Sequence, residues 1–254
     1  MKKFIITGTY RTGSSALAEI IGLHPDVSCG WEWTNQVLWP NKINAGIKSL
    51  NGDFSSLPDI EREYMQEIHN SEKLFLGYRR LFRASNKWVI DPKYSIALFI
   101  DQFQAHLKLW KKSDIAIIHI IRSDNVAWLK SLGLAKATKS HFGNVYPDNM
   151  SVKWNLKEAE KRIIAKNWID NQIATLKDCN IPYLPIIYED FVADNNSTTE
   201  RACHFLGCRW PYVPAGEPKA KIQSKGTKAS IENIDELKKY LIRQGLDKSH
   251  ILTN

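Results

Sequence analysis

Residues 114–121 (DIAIIHII) constrain this chain more than any other stretch. The run is short, continuous and β-branched, as a strand covered on both faces must be, because both alternating sets of side chains are then apolar. Strands of that kind belong to parallel sheets. A parallel pair needs a crossover of a dozen residues or more, usually a helix. The flanking sequence supplies such crossovers. Residues 4–8 (FIITG) predict a second buried strand, followed by a Gly-containing turn and a helix over 14–23 with Leu17, Ile20 and Ile21 on one face.

Further along, residues 58–71 read as a polar helix, 87–91 (KWVID) as a short strand, and the stretch to about 109 as a helix. Helices are predicted over 124–137, with Asp124 near the N-terminus, and over 157–179, where Ile164, Trp168, Ile173 and Leu176 are roughly helix-spaced. Residues 183–188 (YLPIIY) predict a strand, and Pro185 inside it points to an edge or a bulge. A helix over 198–206 stops at Gly207, residues 208–227 form a loop, and a last helix over 234–243 ends near Gly245. The alternation predicts an α/β fold: a central parallel β-sheet flanked by helices, in a single domain spanning residues 1–254.

Composition narrows the function classes. With 43% hydrophobic and 24% charged residues, the chain is not a disordered one. Lys and Arg outnumber Asp and Glu by 35 to 27, a net charge of +8, so an anionic partner is expected. The basic residues are dispersed, with no helix-turn-helix, RNP or zinc-module signature, so that partner is not read as nucleic acid. The cysteines Cys29, Cys179, Cys203 and Cys208 form no CxxC pair, which leaves neither a zinc site nor a disulfide scaffold. Residues 1–8 hold only three consecutive apolar residues, too few for a signal peptide, and no stretch reaches the length of a membrane span. A soluble cytoplasmic protein without a membrane partner is the expectation.

The first strand-turn-helix unit carries the chemistry. Gly8-Thr9-Tyr10-Arg11-Thr12-Gly13-Ser14-Ser15 follows the GxxxxGK[ST] phosphate loop, with Ser14 at the Lys position. Gly13 lets the backbone curl, the loop amides face inward, and the following helix aims its positive end at an anion. The missing Lys argues against a nucleotide kinase or NTPase with a degenerate loop, which is the alternative reading. The nearest cation is Arg11.

Residues 10–15 (YRTGSS), set between strand and helix, resemble the 5′-phosphosulfate loop of the sulfotransferases that use 3′-phosphoadenosine 5′-phosphosulfate (PAPS). The resemblance implies a P-loop-kinase-like sulfotransferase fold and a reaction that needs no metal and leaves adenosine 3′,5′-bisphosphate (PAP). It implies that Arg11 holds the bridging and sulfonate oxygens, and that the hydroxyls of Thr12, Ser14 and Ser15 join the amides on the 5′-phosphate, with Gly13 in the turn. The segment RSDNVAWLKS resembles the family's 3′-phosphate grip, an Arg at the strand end (Arg122) and a Ser on the next helix (Ser131). The nine-residue step between them is similar to the bacterial carbohydrate type. Residues 23–33 (LHPDVSCGWEW) resemble the HP-x-V … E stretch, and residues 188–191 (YEDF) with 204–207 (HFLG) resemble the late YED … FLG stretch. Ser224-Lys225-Gly226 resembles the Arg-Lys-Gly loop that closes over the 3′-phosphate; its first position departs, so Lys225 and Gly226 alone carry over.

Sulfonyl transfer needs a held donor, a deprotonated acceptor hydroxyl and stabilised charge on the bridging oxygen. The resemblance places Glu32 as the base, flanked by Trp31 and Trp33, and Lys93 near the leaving oxygen. His24 and His141 are alternative bases. Trp31, Trp33 and Trp39 gather near the expected acceptor mouth, whereas Trp88, Trp110, Trp128 and Trp168 fit the core. The acceptor is expected to be a carbohydrate or small-molecule hydroxyl. The sequence leaves its identity and the oligomeric state open.

Overall fold

A computed structural model describes residues 2–30, 75–82, 115–138, 149–214, 216 and 230–248. Among the described residues five strands form one sheet: β1 (Lys2–Thr9), β2 (Val27–Gly30), β3 (Phe75–Phe82), β4 (Ile115–Ile121) and β6 (Tyr183–Ile187). Their order is β2-β3-β1-β4-β6 and every pairing is parallel. Two short strands, β5 (Ser151–Val152) and β7 (Ser230–Ile231), pair separately. The helices are α1 (Ser14–Gly22), α2 (Asn125–Thr138), α3 (Leu156–Ala174), α4 (Tyr188–Ala193), α5 (Asn195–Leu206) and α6 (Ile234–Arg243).

The strand order locates the site. From β1 the chain goes out to β2, comes back as β3 between β2 and β1, and then crosses to place β4 on the other side of β1. The connections leaving the carboxyl ends of β1 and β4 therefore go opposite ways at a topological switch point, where open α/β sheets leave a crevice. The register pairs Thr7 with His119, so both strands run out together at that edge.

Helices cover both faces. On one, Phe4, Ile6, Ile118, Ile120 and Ile186 pack against Leu17 and Ile21 of α1, Phe191 of α4 and Ala202, Cys203 and Leu206 of α5. A second core joins Trp128 and Leu129 of α2, Trp154, Ala159 and Ile163 of α3, Ile231, and Leu237 and Leu241 of α6. Each fully buried Leu or Ile contributes about 1.5–3 kcal/mol, so these clusters carry the packing free energy of the fold.

Most sequence boundaries hold, with physical reasons where they shift. Pro185 sits in an edge strand, as its missing N–H requires. Tyr188 starts α4 rather than ending β6. The 198–206 helix begins three residues earlier, where the Asp194 side chain accepts from Ser197 N. The 157–179 helix is α over Leu156–Ala174 and tightens to a 3₁₀ turn over Thr175–Cys179. Its buried face is Ala159, Ile163, Lys166, Ile169, Asp170 and Ile173, whereas Ile164 is 50% exposed. An apolar pattern misses that stripe because two of its members form an ion pair, Lys166 Nζ to Asp170 Oδ2 at 3.2 Å. Asp170 Oδ1 also faces His119 Nε2 at 3.4 Å, and Tyr183 Oη and His119 Nδ1 share a hydrogen bond at 2.7 Å. A buried charge is tolerated when such a network compensates it. β2 and β3 went unpredicted; Gly77, Arg79 and Arg80 break the apolar run of β3. The predicted elements over 58–71, over 87–91 and on to 109 lie outside the described residues.

Candidate active site

The loop between β1 and α1 is shaped by close backbone approach. A Cβ at Gly8 would strike the carbonyl oxygen of Ile120, so glycine is what lets β1 lie against β4 here. Gly13 has φ +85, the left-handed region, and a Cβ there would strike the ring of Tyr188. Thr12 is fully buried, and its hydroxyl donates to Thr9 O at 2.8 Å. Thr12 thus shapes the loop from inside. Gly13 caps α1 without a side-chain bond, so the first turn of the helix presents backbone amides to the crevice. Ser14 is buried and Ser15 half-buried at that turn.

Arg122 stands one residue beyond β4, 4% exposed. Its Nη1 donates to Arg11 O at 3.0 Å, and its guanidinium lies 4.7 Å from the centre of the Tyr188 ring. Burial lowers its pKa below the usual arginine range; Tyr188, Glu189 and Asp124 oppose that, and the charge of Arg11 adds to it. Ser131, on α2, accepts from Arg11 Nε at 3.0 Å. Arg11, Arg122 and Ser131, separated by 111 and 120 residues, therefore meet in one crevice.

The sequence reading did not connect the residues that hold this crevice to it. Glu189 Oε2 accepts from Ser123 N at 2.9 Å and Ser123 Oγ at 2.8 Å, and Oε1 from Asp124 N at 3.1 Å. The elbow after Arg122 is thereby clamped, and Asp124 in turn caps α2 through Ala127 N. Trp128 belongs to the core as expected, and its indole N–H also donates to Tyr10 O at 2.6 Å, tying α2 to the loop. The available signal was the position of Tyr188-Glu189 immediately after an edge strand. Only the fold shows that this end abuts the loop.

Burial alone would push the Glu189 carboxyl up, but the bonds from Ser123 and Asp124 outweigh it and hold its pKa below the ordinary 4.5. A carboxylate depressed in the folded state contributes stability that is present above its unfolded pKa and lost as pH falls through the folded one. The stability gap between the unaltered protein and Glu189→Gln should therefore close as pH falls from about 5 downward. Thermal melts of both proteins across that range check this; a gap independent of pH would sink it.

His24 is accounted for otherwise. It is 1% exposed, its Nδ1 accepts from Asp26 N at 3.0 Å, and its Nε2 lies 2.9 Å from Arg209 O, which can only accept. Both nitrogens are engaged, and the ring packs 4.5 Å from Tyr212, so His24 joins the end of α1 to the 207–212 loop. Glu32, Lys93, His141, Lys225 and Gly226, like Trp31, Trp33 and Trp39, lie outside the described residues. Among the described residues no group of three or more His, Cys, Asp or Glu could hold a metal ion. No described helix is long and apolar enough to cross a membrane.

A family model described as "Sulfotransferase family" matches residues 3–212. No curated protein matches the chain. Among solved structures, a sulfotransferase from Alicyclobacillus acidocaldarius is similar at 16% identity and TM-score 0.48, covering 96% of this chain and 92% of its own. The sulfotransferase domain of the Synechococcus olefin synthase is similar at 15% identity and TM-score 0.44, covering 89% and 79%. A third, a Mycobacterium tuberculosis sulfotransferase, is similar at 11% identity and TM-score 0.43, covering 82% and 68%.

Proposed function

The chain belongs to the sulfotransferase family, and from that premise we propose that it transfers a sulfonyl group from PAPS to a hydroxyl of a carbohydrate or small metabolite. The observation that carries the donor assignment is the convergence of Arg122, Ser131 and the 10–13 loop on one crevice. An arginine fork and a hydroxyl suit the 3′-phosphate, and the amides of the loop and of the first turn of α1 suit the 5′-phosphosulfate. PAPS carries about four negative charges, if each phosphate contributes its usual one to two. Arg11, Arg122 and Lys225 are the cations assigned to it.

The chemical step is proposed with Glu32 and Lys93 in the roles that the family resemblance implies for them. The acceptor hydroxyl gives its proton to Glu32, its oxygen attacks sulfur, and the bond from sulfur to the bridging oxygen breaks. PAP leaves with the bridging electron pair. Lys93 and the loop stabilise the charge on that oxygen. No step in this scheme calls for a metal.

Thermal stability with adenosine 3′,5′-bisphosphate, ATP–Mg²⁺ or duplex DNA tests the donor class. A ligand at 100 times its Kd adds about 2.7 kcal/mol. The bisphosphate should stabilise the protein and the other two should not. Stabilisation by ATP–Mg²⁺ alone would overturn the proposal. An acceptor screen with labelled PAPS then names the hydroxyl class, and Glu32→Gln should lower turnover far more than donor affinity.

A further inference from the structure

One residue of the loop between β1 and α1 is held in a conformation that it would not choose. Arg11 has φ +62, in the left-handed region that tight loops normally give to glycine. Such strain persists where the surroundings over-determine it. Here the carbonyls on both sides are tied down. Trp128 of α2 donates its indole N–H to Tyr10 O at 2.6 Å, and Arg122 Nη1 donates to Arg11 O at 3.0 Å. In a planar trans peptide the N–H points opposite to the C=O. The two bonds therefore also set the directions of the Arg11 and Thr12 amides, each pointing away from its clamp. Successive amides in such a turn form a concavity for an anion.

Trp128 is placed to keep that bond. It is 4% exposed and shares a core with Leu129, Trp154, Ala159 and Ile163, so the ring is locked by its neighbours. The ammonium of Lys166, buried and paired with Asp170 at 3.2 Å, lies 5.9 Å from the ring centre. A cation against an indole face draws electron density from the ring and makes its N–H a stronger donor. Trp154 is the contrast. It belongs to the same core, and its Nε1 has no hydrogen-bond partner among the described residues. This core tolerates an unbonded indole, so packing alone does not account for the bond that Trp128 makes.

We propose that Trp128 is a positioning residue of the donor site: its indole holds the Tyr10–Arg11 peptide in the orientation that receives the 5′ end of the donor. This rests on the PAPS reading above and adds to it a residue that acts through the loop. The role is selective. Trp128 and Ser131 share α2, but losing the indole bond frees the loop and leaves Ser131 where it is.

Calorimetric titration of the unaltered protein, Trp128→Phe and Trp154→Phe with adenosine 3′,5′-bisphosphate, 5′-AMP and 3′-AMP tests the assignment. Trp128→Phe keeps an aromatic ring in the core and deletes the N–H. It should lose about 5- to 30-fold toward the bisphosphate and 5′-AMP, the factor by which the left-handed cost depletes the receptive loop once the clamp is gone. Its affinity for 3′-AMP should not change, a separation that a merely structural role would not produce. Trp154→Phe removes the same volume from the same core and should alter none of the three affinities. Trp128→Met, whose flexible thioether fills irregular gaps, is read in the same way if the Phe variant does not fold. An undiminished affinity for 5′-AMP would show that the loop stands without the clamp and would overturn the proposal. A parallel loss toward 3′-AMP, or equal losses in Trp154→Phe, would show that α2 or the core has moved and would overturn it too. Failure of the unaltered protein to bind the bisphosphate would appear before any variant is compared, and would bring down the donor reading itself and this assignment with it.

Discussion

Arg122→Ala is expected to bind adenosine 3′,5′-bisphosphate about 100-fold more weakly than the unaltered protein, the worth of two charge-assisted hydrogen bonds at a partly desolvated phosphate. The guanidinium is 4% exposed, and its direction is set by the Tyr188 ring on one side and Arg11 O on the other. An arginine so placed has lost its rotamer freedom before the ligand arrives, so little of the binding free energy is spent in ordering it. Arg122→Lys should recover only part of the loss, since an ammonium lacks the planar fork. The thermal midpoint without ligand should move little, because the burial that lowers the Arg122 pKa is itself a cost that alanine removes. Calorimetry with the bisphosphate is the measurement. An unchanged affinity would remove Arg122 from the 3′-phosphate subsite.

Gly13→Ala should damage both stability and binding. Its φ of +85 costs an L-residue about 1–2 kcal/mol. The added methyl would also strike the Tyr188 ring, which is itself packed against Arg122. Overpacking of that kind adds about 1–3 kcal/mol. Together these should lower the thermal midpoint on the order of 10 °C for a chain of this size. Displacing the ring moves the support of Arg122, so bisphosphate affinity should fall in the protein that remains folded. Gly22→Ala is the control. That glycine ends the same helix without a positive φ, and its added Cβ would meet Cys29 Cβ at an ordinary 3.5 Å. Gly22→Ala should be neutral or slightly stabilising. If Gly13→Ala melts with the unaltered protein, the loop conformation described here is wrong.

Legibility followed the range of the interactions. The loop was readable from the strand, glycines and helix around it, and Arg122 and Ser131 from the resemblance of their segment to the family's 3′-phosphate grip. The β4 strand was readable from its β-branched run, and the edge position of β6 from one proline. The buried face of α3 was misread because Lys166 and Asp170 neutralise each other across one turn, a compensation invisible to a hydropathy pattern. Tyr188 and Glu189 were noticed as a family-like segment without a role, because what they touch lies 65 or more residues away along the chain.

By itself the sequence determined the class of fold and marked candidates for an anion site, the β1–α1 loop from its local pattern and Arg122 and Ser131 from a family resemblance. Only the tertiary structure decided how those parts meet. The parallel order β2-β3-β1-β4-β6 sets the ends of β1 and β4 side by side, and the Tyr188-Glu189 pair then fixes Arg122 against the loop. The direction of Arg11 was decided there too. A side chain in a loop can turn several ways, and its course depends on which partner the fold brings within reach, here Ser131.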